Sequence, residues 1–78
     1  MRKKMQDGTP ISEKLTEDVI VEAVERQMFG TDNPGFCIKC GEEQDGCEPD
    51  AQQYECEACG TNTVYGASEL LFDLGIGV

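Results

Sequence analysis

The spacing of apolar residues predicts one long amphipathic helix within residues 12–30. Every third or fourth position of this segment is apolar, so one face of a helix would be continuous and hydrophobic. The apolar positions of this stripe are Ile20, Val21, Ala23, Val24 and Met28. Because such a face has to be buried, we expect it to pack on the rest of the domain, on a second copy of the chain or on a partner.

The ends of this helix carry sequence signals of their own. Thr16 precedes two acidic residues and is suited to cap the N-terminus, where its hydroxyl oxygen can accept a backbone N–H. Gly30 stands where a residue in the left-handed conformation would end the helix. Glu22 and Arg26 are four residues apart, so the sequence also predicts an ion pair between them.

A second apolar segment, residues 68–75, is shorter. Ser68 is a candidate N-cap and Gly75 a candidate terminator, which favours a short helix, although a third strand also fits the pattern. We expect the leucines of this segment to pack on the first helix; they are Leu70, Leu71 and Leu74. If they do not, the exposed patch would mark an interface.

Between the two helices, the sequence predicts a β-hairpin. Residues 52–56 alternate polar and less polar side chains, and residues 61–65 carry the β-favouring residues of a return strand. Val64 is expected to face one side of this strand, and Thr63 and Tyr65 the other.

Four cysteines form two Cys-x2-Cys pairs separated by fifteen residues. The pairs are Cys37 with Cys40 and Cys56 with Cys59, and a glycine follows each pair. Two such turns can direct four thiolates at one point, which is the tetrahedral ligand set that Zn²⁺ prefers. The chain has no histidine, so the site would be all-cysteine, or cysteine completed by carboxylate or water. We therefore expect one structural zinc ion on these four cysteines.

Residues beside the pairs are expected to support this site. Gly41 and Gly60 tolerate a positive φ, which lets the backbone curl back and direct amides at the sulfurs. We expect Phe36 to shield the site from water. Lys39 either offsets part of the negative charge of the site or simply faces solvent.

The segment from residue 35 to residue 65 resembles a zinc ribbon. The resemblance rests on residues 37–41, the first knuckle, and residues 56–60, the second knuckle. It implies four cysteine ligands on a short antiparallel sheet but no single role, because zinc ribbons occur in transcription factors, ribosomal proteins and enzymes. The parts that are similar to small uncharacterised phage and bacterial zinc-ribbon proteins are residues 48–51, 54–56 and 64–67.

The fifth cysteine, Cys47, lies in the acidic, turn-rich segment of residues 42–51. Its spacing from Cys40 fits neither pair, so it is a spare ligand, an exposed thiol or a small buried residue, and we expect it not to bind metal. An odd number of cysteines and the lack of a secretory signal disfavour a disulfide framework. We therefore expect a reducing, cytoplasmic location.

A chain of 78 residues allows one domain, and a core this small needs reinforcement, here by metal. The predicted fold class is a small α+β metal-bound domain: a zinc ribbon with an N-terminal amphipathic helix and a short C-terminal helix. Residues 1–11 are predicted to be a flexible basic tail and residues 12–30 the helix. Residues 31–78 are predicted to form the zinc-ribbon unit with the C-terminal apolar segment.

Charge and motifs narrow the expected function. The chain has 16 acidic and 6 basic residues, a net charge of −10, so it should repel nucleic acid, and no apolar run approaches membrane-spanning length. We expect a protein–protein interaction module, with a basic protein or a second copy as partner. The alternatives are a nucleic-acid-binding zinc ribbon of a transcription or replication accessory protein, and an acidic mimic of nucleic acid. Catalysis is not expected, because the sequence has no nucleophile motif or phosphate loop and the four-cysteine site would be closed.

Overall fold

The computed structural model describes residues 2–30, 32–48 and 50–76. Its elements follow one another as a helix, four strands and a second helix. Their bounds are α1 Glu17–Phe29, β1 Gly35–Cys37, β2 Glu43–Gln44, β3 Tyr54–Glu55, β4 Asn62–Gly66 and α2 Ala67–Asp73. The predicted tail, the loop before the first knuckle, the acidic segment and the C-terminus each include positions outside the described residues, namely Met1, Thr31, Pro49, Gly77 and Val78.

The strands form one antiparallel sheet in the order β2-β1-β4-β3. Strand β1 lies inside the sheet, with Phe36 opposite Glu43 of β2 on one side and Tyr65 of β4 on the other. The predicted hairpin is confirmed by the pairing of β3 with β4, in which Tyr54 lies opposite Val64. The expected α+β class is therefore confirmed, with a larger sheet than the hairpin predicted from the sequence.

Helix α1 is shorter than the predicted range of residues 12–30, but it lies between the predicted cap Thr16 and the predicted terminator Gly30. The Thr16 hydroxyl accepts a hydrogen bond from the backbone N–H of Val19 at 3.3 Å, which confirms the predicted cap. Gly30 has an extended backbone, with φ −136° and ψ −163°, so the predicted left-handed terminator is wrong. Glycine suits this position for another reason, because a Cβ here would lie 2.9 Å from the carbonyl oxygen of Arg26.

The buried face of α1 is narrower than the predicted stripe. The positions that are buried or packed against the core are Ile20, Val21, Ala23 and Val24. Met28, by contrast, is 69% exposed. The last turn of α1 meets α2 through a polar contact, in which the Ser68 hydroxyl donates to Gln27 Oε1 at 2.7 Å. The apolar stripe therefore ends one turn earlier than predicted.

Arg26 pairs with a residue far along the chain. Its guanidinium donates to both carboxylate oxygens of Glu43, at 2.8 and 3.3 Å, so the predicted ion pair with Glu22 is wrong. The planar guanidinium engages both oxygens of Glu43 at once, a geometry that favours this partner over the helical neighbour.

The C-terminal apolar segment forms helix α2, which excludes the alternative of a third strand. Leu70 and Leu74 are fully buried in the same core as α1, as predicted. Gly66, not Ser68, holds the N-cap position, because β4 continues directly into α2. Gly75 ends the helix as predicted, with φ 70° and its N–H donating to the carbonyl of Phe72 at 3.2 Å.

The protein has two hydrophobic cores, and paired positions of β1 and β4 alternate between them. The helical core contains Met5, Leu15, Ile20, Ala23, Phe36, Ile38, Ala67, Leu70, Leu74 and Ile76. The cysteine core contains Cys37, Cys47, Ala51, Cys56 and Val64. Tyr65 packs against the helical core, which confirms that Val64 and Tyr65 face opposite sides. The prediction that Phe36 shields the metal site is wrong, because successive strand residues alternate and Phe36 belongs to the helical core.

Residues 2–11, predicted to be a tail, contact the folded domain. Met5 is 7% exposed and belongs to the helical core. The backbone N–H of Arg2 donates to the carbonyl of Leu74 at 2.7 Å, and Lys4 forms an isolated bridge with Pro10. The sequence pattern gave no sign of this packing, because the segment contributes a single buried apolar side chain to the core.

Candidate metal centre

The two knuckles have the same internal hydrogen bonds. In the first, the backbone N–H of Cys40 points at Cys37 Sγ over 3.4 Å, and in the second the N–H of Cys59 points at Cys56 Sγ over the same 3.4 Å. An amide directed at sulfur favours the thiolate over the thiol. Each pair of cysteines is therefore arranged by its own short turn, as the Cys-x2-Cys spacing predicts.

A glycine closes each turn in the predicted left-handed conformation. The φ angles of Gly41 and Gly60 are 79° and 75°. Each glycine N–H donates to the carbonyl of the first cysteine of its knuckle at 2.8 Å. The chain then passes to Glu42 or Thr61, whose carbonyl accepts the N–H of that same cysteine at 3.0 or 2.8 Å.

The sheet brings the two knuckles together. The four sulfur atoms of Cys37, Cys40, Cys56 and Cys59 lie within 4.8 Å of one another. Two of these distances join different knuckles: 3.6 Å from Cys37 Sγ to Cys59 Sγ, and 3.6 Å from Cys40 Sγ to Cys56 Sγ. With Zn–S bonds of about 2.3 Å, two ligands of a tetrahedral zinc site lie about 3.8 Å apart. The four cysteines are therefore placed so that they can hold a metal ion.

Burial differs among the four cysteines. Cys37 and Cys56 are buried, Cys40 is half-buried and Cys59 is exposed. Ala51 and Val64 pack in the cysteine core. The cluster thus lies at the edge of the domain, with one side covered by apolar groups and one side open to water.

Hydrogen bonds and burial shift the thiol pKa values of Cys37 and Cys40 in opposite directions. Burial opposes ionisation of Cys37, but hydrogen bonds from the Thr63 hydroxyl at 3.1 Å and from the Cys40 amide outweigh it and lower the pKa of Cys37 to about 6. At Cys40 the Glu42 amide favours the thiolate, yet burial and the neighbouring sulfurs together raise its pKa to about 12. The metal-free cluster therefore retains a proton that a metal cation would displace.

Two threonines that the sequence analysis missed border the cluster. Thr61 Oγ1 lies 3.1 Å from Cys59 Sγ, Thr63 Oγ1 lies 3.1 Å from Cys37 Sγ, and the two hydroxyls are 2.8 Å apart. The hydroxyl of Thr61, followed by its amide, lowers the pKa of Cys59. The sequence pattern offered no sign of this contact, because it predicted that Thr63 faces away from Val64, whereas Thr63 meets Cys37 of the same core as Val64.

Cys47 lies outside the four-cysteine cluster and is a small buried residue, one of the three alternatives that the sequence left open. Its side chain is 1% exposed, and its thiol donates to the carbonyl of Gln44 at 3.8 Å. Burial raises the pKa of Cys47, which disfavours a reactive thiolate. The site requires glycine at position 35, because a Cβ on Gly35 would lie 2.5 Å from Cys47 Sγ.

Two lysines, Lys14 and Lys39, lie at the first knuckle. The Ser12 N–H donates to the carbonyl of Ile38 at 2.7 Å, and the side chain of Lys14 packs against Gly41. Residues 2–16 and 37–41 together hold five of the six basic residues and only two of the sixteen acidic ones. Along the chain the charge is therefore segregated, and Lys14 and Lys39 form a basic side of the first knuckle.

Two further findings concern the chain as a whole. Within residues 2–30, 32–48 and 50–76, neither helix has the length and apolar character needed to cross a membrane. Comparisons with protein-family models, with curated proteins and with solved structures find no match to this chain. The candidate metal centre is therefore supported by the arrangement of four side chains, those of Cys37, Cys40, Cys56 and Cys59.

Proposed function

We propose that the four clustered cysteines bind one Zn²⁺ ion and that this ion has a structural role in a zinc-ribbon domain. The supporting observation is the cross-knuckle sulfur distance of 3.6 Å, close to the spacing of about 3.8 Å in a tetrahedral zinc–thiolate site. Four thiolates fill the coordination sphere, so no position remains for substrate or water, and we expect no catalysis.

A bound ion would stabilise the half of the protein that contains the cysteine core. Apart from β4, the strands have only two or three residues each, and three of the five members of the cysteine core are themselves cysteines. This half of the protein has little apolar surface of its own to bury. Metal binding to small four-ligand sites contributes on the order of 10 kcal/mol or more to folding, which can offset that deficit.

Native mass spectrometry of the chain, purified with zinc under reducing conditions, tests the metal site. We expect one zinc ion per chain, no zinc in Cys56→Ser, and one zinc ion in Cys47→Ser. Both variants remove a buried thiol, so they are matched in burial and differ in membership of the cluster. Loss of zinc from Cys47→Ser, or a metal-free chain lighter by the hydrogens lost in disulfide formation, would overturn the assignment.

We also propose that the domain binds a protein partner in the cytoplasm, where free thiols persist. The net charge of −10 favours a basic partner, and the two largest exposed apolar side chains of α1, Met28 and Phe29, are available for contact. Light scattering at two concentrations distinguishes a monomer from a homodimer formed through the same helices.

The charge segregation favours a second candidate function, nucleic-acid binding through the basic side. Lys14 and Lys39 both belong to that side, close to the first knuckle. Phosphate contacts depend on such residues and weaken with salt. A gel shift at low salt that is abolished in Lys14→Glu/Lys39→Glu would support this function. The remainder of the chain holds fourteen acidic residues and would repel nucleic acid, so protein binding stays the main proposal.

A further inference from the structure

The last turn of α1 exposes two adjacent apolar side chains. Phe29 is 84% exposed and Met28 is 69% exposed, although the preceding turns of the same helix are packed on the core. Neither side chain contributes to the helical core or to the cysteine core. Adjacent large apolar residues on the surface of a small domain indicate an interaction site.

The ring of Phe29 borders an open surface cleft with acidic walls. The residues that line this cleft are Glu22, Glu25, Arg26, Phe29, Gly30 and Asp32. Arg26 is the only cation among them, and its guanidinium is held by the carboxylate of Glu43 through two hydrogen bonds of 2.8 and 3.3 Å. The pKa of Arg26 is raised first by its hydrogen bonds to Glu43 and more weakly by the charges of Asp32 and Glu22. The cleft therefore holds three carboxylates against one guanidinium and keeps a net negative charge beside Phe29.

We infer that this cleft docks a basic, amphipathic segment of a partner protein, with a lysine or arginine side chain lying over Phe29. The apolar stem of such a side chain fits against the ring, and its charged end reaches the carboxylates of Glu22, Glu25 and Asp32. The inference rests on the protein-binding function proposed above and adds the surface and the chemistry of the partner.

Charge disfavours the other occupants of the cleft. A symmetric dimer through this surface would bring two copies of the same three carboxylates together, in a chain that already carries a net charge of −10. The other five basic residues do not line the cleft, so they are not part of the docking surface. A nucleic acid would meet the acidic walls and be repelled.

The test uses the full zinc-loaded chain and a short fluorescent peptide that alternates leucine and lysine, followed by fluorescence anisotropy. In the cleft variant, Glu22→Gln, Glu25→Gln and Asp32→Asn are combined. The control variant combines Glu13→Gln, Glu48→Gln and Asp50→Asn, which changes the net charge equally at exposed carboxylates outside the cleft. We expect the cleft variant to weaken binding about tenfold and the control less than about twofold, because charges act most strongly at close range.

A pair of phenylalanine variants tests the apolar contribution separately. Phe29→Ala is expected to weaken binding about fivefold. Phe72→Ala, at a phenylalanine outside the cleft that is 74% exposed, should leave binding unchanged. Equal effects of the two carboxylate variants, or no binding of the peptide by the zinc-loaded protein, would overturn the inference. Native mass spectrometry of the same samples reports the zinc content, so a failure of the docking surface is distinguished from a failure of the metal site.

Discussion

Gly41 and Gly60 occupy equivalent positions in the two knuckles, which makes Gly41→Ala and Gly60→Ala a matched pair of perturbations. Their φ angles are 79° and 75°, and both glycine amides donate to the first cysteine of their knuckle at 2.8 Å. An alanine in this left-handed conformation costs about 1–2 kcal/mol. We expect each variant to lose about that much stability from backbone strain alone.

The surroundings of the two glycines differ. A Cβ on Gly41 would lie 2.8 Å from Lys14 Cβ and 2.9 Å from Ser12 Oγ, whereas a Cβ on Gly60 would have no neighbour within 4 Å. Lys14 Cβ cannot rotate away from the contact, and Ser12 is held by its hydrogen bond to the carbonyl of Ile38. The backbone of this segment therefore has to shift, at a further cost of about 1–3 kcal/mol.

Urea unfolding followed by circular dichroism measures both losses. Free zinc must be buffered at one concentration, because a ligand that binds the native state adds to its stability. We expect Gly60→Ala to lose about 1–2 kcal/mol and Gly41→Ala about 2–5 kcal/mol. Lys14→Gly removes the closest side-chain atoms and should reduce the loss in the Gly41→Ala background. Equal losses in the two single variants would show that the segment before α1 does not pack on the first knuckle.

Further variants test the two cores and the thiols. Leu70→Ala should cost about 2–5 kcal/mol in urea unfolding because Leu70 is fully buried, whereas Met28→Ala should change stability by less than about 0.5 kcal/mol; equal losses would contradict the packing of α1 on α2. Cys47→Ser should lose about 1–3 kcal/mol of unfolding free energy, since it buries a hydroxyl within the cysteine core; an unchanged unfolding midpoint would contradict this. In the metal-free protein, the pKa of Cys37 lies near 6 rather than the usual 9.0, so its contribution to stability is lost as the pH falls from 9 to 6. The urea midpoint of the chelated protein should therefore decrease as the pH is lowered from 8 to 6. A midpoint that increases would refute the lowered pKa of Cys37.

The cluster of four cysteines could be predicted from the sequence because the residues that define it are local. Two residues between the cysteines and a glycine after them define each knuckle, whichever fold surrounds it. Thr16 and Gly75 were predictable for the same reason, since a cap depends on the few residues beside it. Cys47 could be set apart by spacing alone, although its burial against Gly35 could not be foreseen.

The predictions that were wrong depend on contacts between residues that are distant in sequence. Glu22, one helical turn away, is a plausible partner of Arg26 in the sequence. Only the position of β2 shows that Glu43 can form a bidentate ion pair with Arg26. All three residues of β1 are buried, so the strand shows no alternation of polar and apolar side chains. The sequence therefore could not tell whether Phe36 faces the helical core or the cysteine core. The burial of Met5 likewise depends on where α2 ends.

Strand β1 explains how a metal ion at the edge of the protein can stabilise the helices. Phe36 and Ile38 belong to the helical core, and Cys37 between them belongs to the cysteine core. On β4, Tyr65 and Val64 make the same alternation opposite Phe36 and Cys37. Because these residues are covalent neighbours, an ion that fixes Cys37 also fixes the apolar side chains on which α1 and α2 pack. A metal ion bound there, as proposed, would therefore support the same helix, α1, whose last turn carries the surface proposed for the partner.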